Sequence, residues 1–285
     1  MLREAITNNL PDMRISGDVL KLMAELDALF CAWADETGAE EHLYPPLLPV
    51  DKLHMADHFA SFPHQAIFAV TADREKENLQ CFAKNPLNED GSANLPALGP
   101  THYCLSPGAC FPIYFGLQGQ ALSGPEYITV RSPCFRKEDY NEPLKRQMAF
   151  TMREIVCIGT ETTVSAFLET YRIGVAALFD TLGLPVCLEH AVDPFFNPRS
   201  NRKYLMQKIK ALKYEMVFQN ELAIGSLNNH LTGFGKIFDI TIAGEIAHSG
   251  CVAFGLERWL HAFLNHFGED SSNWPDLNQI SGCAR

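Results

Sequence analysis

The chain has 285 residues and a mass of 31.8 kDa, with 47% hydrophobic and 20% charged residues, 19 Gly and 17 Pro. That composition builds a sizeable core and excludes a disulfide-stapled miniature scaffold, a disordered chain and a collagen-like one. With 23 Lys+Arg against 34 Asp+Glu the net charge is −11, and the nine cysteines are odd in number and lack tight spacing; a general nucleic-acid binder is disfavoured, and reduced thiols in the cytoplasm are expected.

Residues 1–12 carry Glu4 and Asp12 and no apolar run, so neither an export signal nor a membrane span is expected. Val19, Leu20, Met23, Leu26, Leu29, Phe30 and Trp33 then recur at helical spacing between Ser16, a candidate N-cap, and Gly38, which predicts a helix of about five turns. A proline-broken loop at Tyr44, Pro45 and Pro46 precedes a short predicted helix over 52–59 and a strand over 66–71, and the Gly, Pro, Asn and Asp of 89–100 read as loop. Two strands over 127–131 and 148–158, joined by a polar turn at 139–145, form a predicted antiparallel hairpin. Val164, Phe167, Leu168, Tyr171, Val175, Leu178 and Phe179 line a helix that starts after Thr160 or Thr162 and closes at Gly183. Short strands are expected over 186–190, 214–218, 221–226 and 237–242, and a last helix from about Gly250. Strands with helices set among them, without regular βαβ alternation, predict an α+β fold around a largely antiparallel sheet.

The chemistry-bearing residues fall in two places. At the hairpin, alternation along a strand puts Arg136 with Glu138, and Phe150 with Met152 and Glu154. On the expected last helix, Cys251 and Arg258 are seven positions apart, near two full turns, and would point the same way beside the small residues Gly250, Ala253 and Gly255.

Together these segments carry a resemblance. Phe-Arg-x-Glu at 135–138, a polar loop, and Arg146 followed by Phe150 and Glu154 resemble motif 2 of class II aminoacyl-tRNA synthetases, and Gly255-Leu256-Glu257-Arg258 resembles their motif 3, with Ala253 where Gly is usual. Motif 1 is not placed. Cys110 in Gly-Ala-Cys-Phe-Pro, Glu154 and Cys251 are similar in order and setting to the zinc ligands of atypical archaeal seryl-tRNA synthetases and of the amino acid:[carrier protein] ligases. Ser226-Leu227-Asn228-Asn229-His230, with Phe234-Gly235 after it, resembles the ligases in particular. An acidic chain without a long N-terminal helical arm for tRNA also looks more like the ligase. His230 is a candidate metal ligand but is read first as a hydrogen-bonded or core histidine, and Cys104 and Cys134 are the neighbouring thiols that the pattern passes over.

The resemblance implies a class II synthetase-like antiparallel sheet flanked by helices, one catalytic domain over 1–285, and a homodimer. It implies zinc on Cys110, Glu154 and Cys251; two thiolates and a carboxylate suit tetrahedral zinc with one open position, which a free α-amine can fill. It implies ATP with magnesium, Arg136 at the α-phosphate, Arg258 at the polyphosphate tail, Glu138 at the adenine amine and Phe150 against the base. Ser226 and Asn228 would border substrate and ribose, and Arg146 and Lys213 would complete the nucleotide contacts. The expected reaction activates a small amino acid, glycine or alanine, and passes it to the phosphopantetheine thiol of a carrier protein, with no tRNA or DNA partner. A truncated seryl-type synthetase and a non-catalytic regulatory paralogue remain as alternatives.

One further signal is a basic island. Arg199, Arg202, Lys203, Lys208, Lys210 and Lys213 fall within fifteen positions that hold no acid, in a predicted helical insert over about 197–213. A cationic helix face in an acidic protein suits docking of an acidic carrier protein by electrostatic steering.

Overall fold

The N-terminal periodicity becomes helix α1, Gly17–Glu36, which buries Leu22, Leu26, Phe30 and Trp33 along one side. The structure is a computed structural model that describes residues 14–280, without the side chains of Ser200 and Arg202. The reading of residues 1–12 therefore lies outside the described residues, as does Cys283. After α1 come strand β1, Glu40–His42, and helix α2, Phe111–Gly116. The predicted hairpin is β2, Glu126–Phe135, and β3, Ala149–Gly159.

Helix α3, Glu161–Leu182, starts where the Thr160 hydroxyl accepts from the Thr163 amide and stops at Gly183 with φ +62°, the left-handed turn that glycine takes without strain. Strand β4, Val186–His190, precedes the basic helix α4, Arg202–Lys210, whose N-cap Asn201 accepts from the amides of Lys203 and Tyr204. Strands β5, Lys213–Phe218, and β6, Leu222–Leu231, lead to helix α5, Gly233–Phe238, then β7, His248–Gly255, and helix α6, Leu256–Phe267.

The seven strands form one sheet in the order β1-β2-β3-β7-β6-β5-β4. The β1–β2 pair is parallel and the other five pairs are antiparallel, the α+β class expected. Alternation divides the sheet into two chemically different faces. Ile155, Cys157, Leu227, Val252 and Phe254 face the main core, where α1, α3 and α6 pack and where Phe30 stacks on Phe254 at 3.8 Å. The opposite face carries Phe150, Met152, Glu154 and Cys251, beside a smaller core built from α2 and α5. Among the described residues no helix is long and apolar enough to cross a membrane.

Several expectations are corrected. The last helix starts at Leu256, so Gly250 and Cys251 belong to strand β7 and Cys251 does not share a helix face with Arg258. The small residues that suggested close helix packing serve a strand instead: a Cβ on Gly250 would stand 3.0 Å from the Asn228 carbonyl and from side-chain atoms of Val164 and Leu168, where α3 crosses. The expected strand over 237–242 is split: Ile237 and Phe238 end helix α5, whose apolar Phe234, Ile237 and Phe238 follow helical spacing, and only Thr241–Ile242 pair as a strand. The helix over 52–59 is two, Val50–Met55 and His58–Ser61, parted at Asp57 with φ +62°; the strand over 66–71 shrinks to Phe68–Ala69, and a helix at Lys76–Lys84 was not anticipated.

One charged pair crosses into the main core. The Arg153 guanidinium, 2% exposed, donates to both Asp27 carboxylate oxygens at 2.8 and 2.9 Å and to Glu41 at 2.6 Å. Burial works against the charge, yet the hydrogen bonds to Asp27 and Glu41 hold the Arg153 pKa above its usual value. The pair fastens α1 to β3, and removing Asp27 leaves the buried cation with the Glu41 carboxylate alone. Asp27→Ala should lower the unfolding free energy by about 3 kcal/mol, measured by urea titration.

Candidate functional site

Strand register assembles the site. Cys251 on β7 lies directly opposite Asn228 on β6, and Asn228 directly opposite Lys213 on β5, one row across three strands. On the other side Ala253 pairs with Glu154 of β3, which sets Glu154 diagonal to Cys251 on the same face. Cys110 comes from the loop that opens α2. The Cys110 and Cys251 sulfurs and a Glu154 oxygen all lie within 4.8 Å of one another, and all three residues are buried. The sequence-predicted triad is thus brought together. Cys104 and Cys134 stay apart from it, their thiols directed at the carbonyls of Ile67 and Ser132.

This donor set fits a cation. Burial, followed by the charge of Cys251, raises the Glu154 pKa to about 7, against which the Ala109 amide donates to its Oε1 at 2.8 Å. The proton shared between the two thiols raises Cys110 and lowers Cys251; burial adds to the first, and His230 and Asn228 favour the second as thiolate. Three buried acidic groups crowded together compete for protons that a metal ion would replace. Two sulfurs and one carboxylate are a zinc-type set.

Around the triad, the Asn228 amide reaches the Cys251 sulfur at 3.5 Å and Ser226 Oγ at 3.0 Å. His230 sits at an irregularity of β6, where pairing with β7 slips between Asn229 and Leu231. Its Nε2 is 3.7 Å from the Cys251 sulfur and its Nδ1 3.2 Å from both Ser249 Oγ and Tyr114 Oη. His230 is therefore hydrogen-bonded, as read. Tyr114 and Ser249 went unnoticed in the sequence, although Tyr114 follows Cys110 by four positions, a helical step.

A cleft of about 1260 Å³ opens over the triad. Arg136, Glu138, Arg146 and Phe150 from the hairpin border it, as do Lys213, Ser226 and Asn228 from β5 and β6, and Arg258 from α6. The Arg136 guanidinium lies 5.2 Å from the Phe150 ring centre and donates from Nε to the Pro107 carbonyl at 2.9 Å. Arg146 pairs with Glu138 at 2.6 Å. Arg258 donates to the carbonyls of Lys145 and Ala223 at 2.7 and 2.8 Å, and its neighbour Glu257 accepts the Thr151 amide on both oxygens, pinning the start of α6 to β3. Burial, then repulsion from Arg136 and Arg146, lowers the Arg258 pKa. Three guanidiniums that repel one another around a cleft make a receptor for a polyanion.

Lys213 is tied to Asp193 and Glu215 at 2.5 and 2.9 Å. Asp193, in the loop after β4, was missed: nothing in its local sequence links it to a strand twenty positions on. Of the basic island, Lys203 also borders the cleft and pairs with Asp57 at 3.0 Å. Arg199, Lys208 and Lys210 are exposed away from it, and the Arg202 side chain is outside the description. Leu205, Met206 and Ile209 are exposed among them, at 47%, 39% and 77%, so α4 offers apolar as well as basic surface.

Residues 99–267 match the tRNA synthetase class II core domain (G, H, P, S and T). Amino acid–[acyl-carrier-protein] ligase 1 of Bradyrhizobium diazoefficiens is 33% identical over 248 residues, 84% of this chain and 75% of the relative. A type-2 serine–tRNA ligase of Methanococcus maripaludis is 26% identical over 270 residues, 86% of this chain and 51% of the relative, so the chain spans about half of that protein. A solved M. kandleri SerRS, in complex with A. aeolicus tRNASec, shares the fold at a TM-score of 0.73 and 19% identity, covering 90% of this chain and 54% of that one.

The raised Glu154 pKa has a definite sign. Metal-free folded protein holds that proton more tightly than the unfolded chain does, so Glu154 costs stability as pH rises from about 4.5 to about 7. In thermal melts of metal-free protein, Glu154→Gln should flatten the pH dependence across that window while keeping an acceptor for the Ala109 amide.

Proposed function

Because this chain belongs to the class II tRNA synthetase core family and, within it, to the amino acid–[acyl-carrier-protein] ligases, we propose that it activates a small amino acid, glycine or alanine, with ATP and passes the aminoacyl group to the phosphopantetheine thiol of an acidic carrier protein. The observation that carries this reading is the meeting, in one cleft, of a Cys-Glu-Cys cluster with three convergent guanidiniums.

Cys110, Glu154 and Cys251 would hold zinc, which when bound supplies an open position for the neutral α-amine of the substrate. Ser226 and Asn228 border the amino acid and the ribose. The substrate carboxylate then attacks the α-phosphorus of ATP; the new carboxyl–phosphorus bond forms as the bond to pyrophosphate breaks. Arg136 faces the α-phosphate and Arg258 the departing pyrophosphate, and both are already oriented by backbone carbonyls, so little ordering is left for the reaction itself. Rigid, permanently charged guanidiniums suit that task. Glu138 accepts from the adenine amine, Phe150 stacks on the base, and Arg146 and Lys213 add nucleotide contacts; magnesium accompanies ATP as part of the substrate. In the second step the carrier thiol attacks the aminoacyl carbonyl, the carbon–sulfur bond forms, and AMP leaves.

The docking element is the basic insert over about 197–213, with helix α4 at its centre, in a single catalytic domain that works as a cytoplasmic homodimer. Arg199, Arg202, Lys203, Lys208 and Lys210 would steer the acidic carrier, and Leu205 and Ile209 offer it apolar contact.

The deciding experiment is amino-acid-dependent ATP–pyrophosphate exchange by metal-replete protein, across all twenty amino acids, with and without a zinc chelator. Exchange with glycine or alanine that disappears on chelation is expected, and Arg258→Ala should cut it about 100-fold or more in folded protein. No exchange with any amino acid, in folded protein that contains zinc, would replace this reading with a binding protein that turns nothing over. Reversing charge at Lys208 and Lys210 should slow transfer to the carrier about tenfold relative to adenylate formation, more strongly at low salt; equal ratios in mutant and wild type would reduce the basic island to a solvated helix face.

A further inference from the structure

Helix α4 has an inner side as well as an outer one. Lys203, Leu205, Met206, Lys208, Ile209 and Lys210 are exposed, whereas Tyr204 and Gln207, three positions apart, turn inward. The Gln207 side chain grips one residue twice. Its Oε1 accepts the Asp193 amide at 2.9 Å, and its Nε2 donates to Asp193 Oδ2 at 2.7 Å. The other Asp193 oxygen, Oδ1, accepts from Lys213 Nζ at 2.5 Å, and Glu215 takes the same ammonium at 2.9 Å. Gln207, Asp193, Lys213 and Glu215 all border the cleft.

Each residue type in this chain of contacts is the one its place requires. A primary amide is a side chain that can accept from a backbone N–H and donate to a carboxylate at once, and neither Glu nor Lys does both. Lysine is a point charge on a flexible stem, so the direction of its ammonium must come from its partners. Burial disfavours charge on Asp193, yet Lys213 and Gln207 hold its carboxyl below the ordinary range. Helix α4 is also fastened by the Lys203–Asp57 pair and by the His190 contact with the Gln207 carbonyl at 2.9 Å, neither of which uses the Gln207 side-chain amide.

We propose that Gln207 is a positioning residue which, through Asp193, sets the direction of the Lys213 ammonium in the cleft, so that the helix with the basic outer face also supports one wall of the active site. The consequence for turnover rests on the function proposed above, in which Lys213 contacts the nucleotide; the positioning itself does not.

Two readouts test it. The first is the rate at which formaldehyde and dimethylamine-borane methylate Lys213, read by mass spectrometry, which needs no enzymatic activity. The second is the split between KM for ATP and kcat in pyrophosphate exchange. Gln207→Leu should speed Lys213 methylation about fivefold and raise the KM about fivefold, with kcat within about twofold, as expected for one lost hydrogen bond to a charged network. Gln207→Glu, which sets a second carboxylate against Asp193, should do the same. Adding Asp193→Asn to Gln207→Glu exchanges donor for acceptor at the same total charge and should bring both values back towards wild type, a recovery that general loosening of the helix would not give. Gln207→Asn, too short to span the gap, repeats the test should the leucine variant fold poorly. Unchanged Lys213 methylation in Gln207→Leu and Gln207→Asn, or a double variant no better than its worse parent, overturns the inference. Wild-type protein without exchange would sink the proposed function, while the methylation rates would still decide the role of Gln207.

Discussion

The row of directly opposed residues across β7, β6 and β5 is the constraint on which the site depends. Cys251, Asn228 and Lys213 share that row, with Glu154 one diagonal step away. A slip of one residue between β3 and β7 would turn either Glu154 or Cys251 into the main core and break the donor cluster. The register is held by hydrophobic burial on the far face, where Ile155, Val252, Phe254 and Leu227 must point towards α1, α3 and α6. The chemistry of one face is thus specified by the packing of the other.

That far face is not purely apolar. Arg153 stands beside Glu154 in sequence, and alternation sends it the opposite way, into the pair with Asp27 of α1. A guanidinium buried there costs desolvation, and its hydrogen bonds with Asp27 and Glu41 offset that cost. The benefit is directional: a bidentate pair adds a fixed hydrogen-bonding geometry between α1 and β3 that an apolar contact lacks. Neighbouring residues 153 and 154 therefore secure the scaffold and the site respectively.

Sequence reading recovered what local pattern encodes. The periodicity of α1, the Gly183 stop of α3 and the alternation of the hairpin each survive with small shifts of boundary, and of the two candidate starts of α3, Thr160 and Thr162, Thr160 is the cap. Cys110, Glu154, Cys251 and the cleft arginines were legible because a motif resemblance stood in for the missing three-dimensional information. Patterns with two physical causes were read wrongly. Small residues at 250–255 suit a tightly packed helix and equally a strand crossed by one, and only the position of α3 decides between them. Asp193 and the Tyr114–His230–Ser249 group were illegible for another reason: their partners are distant in sequence, and a lone Asp or Tyr in a loop or short helix carries no local signal.

The order of the donors along the chain has a consequence for biogenesis. Cys110 and Glu154 emerge early in synthesis, but Cys251 lies on β7, inserted between β3 and β6 after both have been made. A growing polypeptide therefore cannot close the cluster until its last long strand has left the ribosome and entered the middle of the sheet. A cation held by all three donors is therefore complete in its protein ligands only once that strand is in place, so full coordination coincides with completion of the sheet.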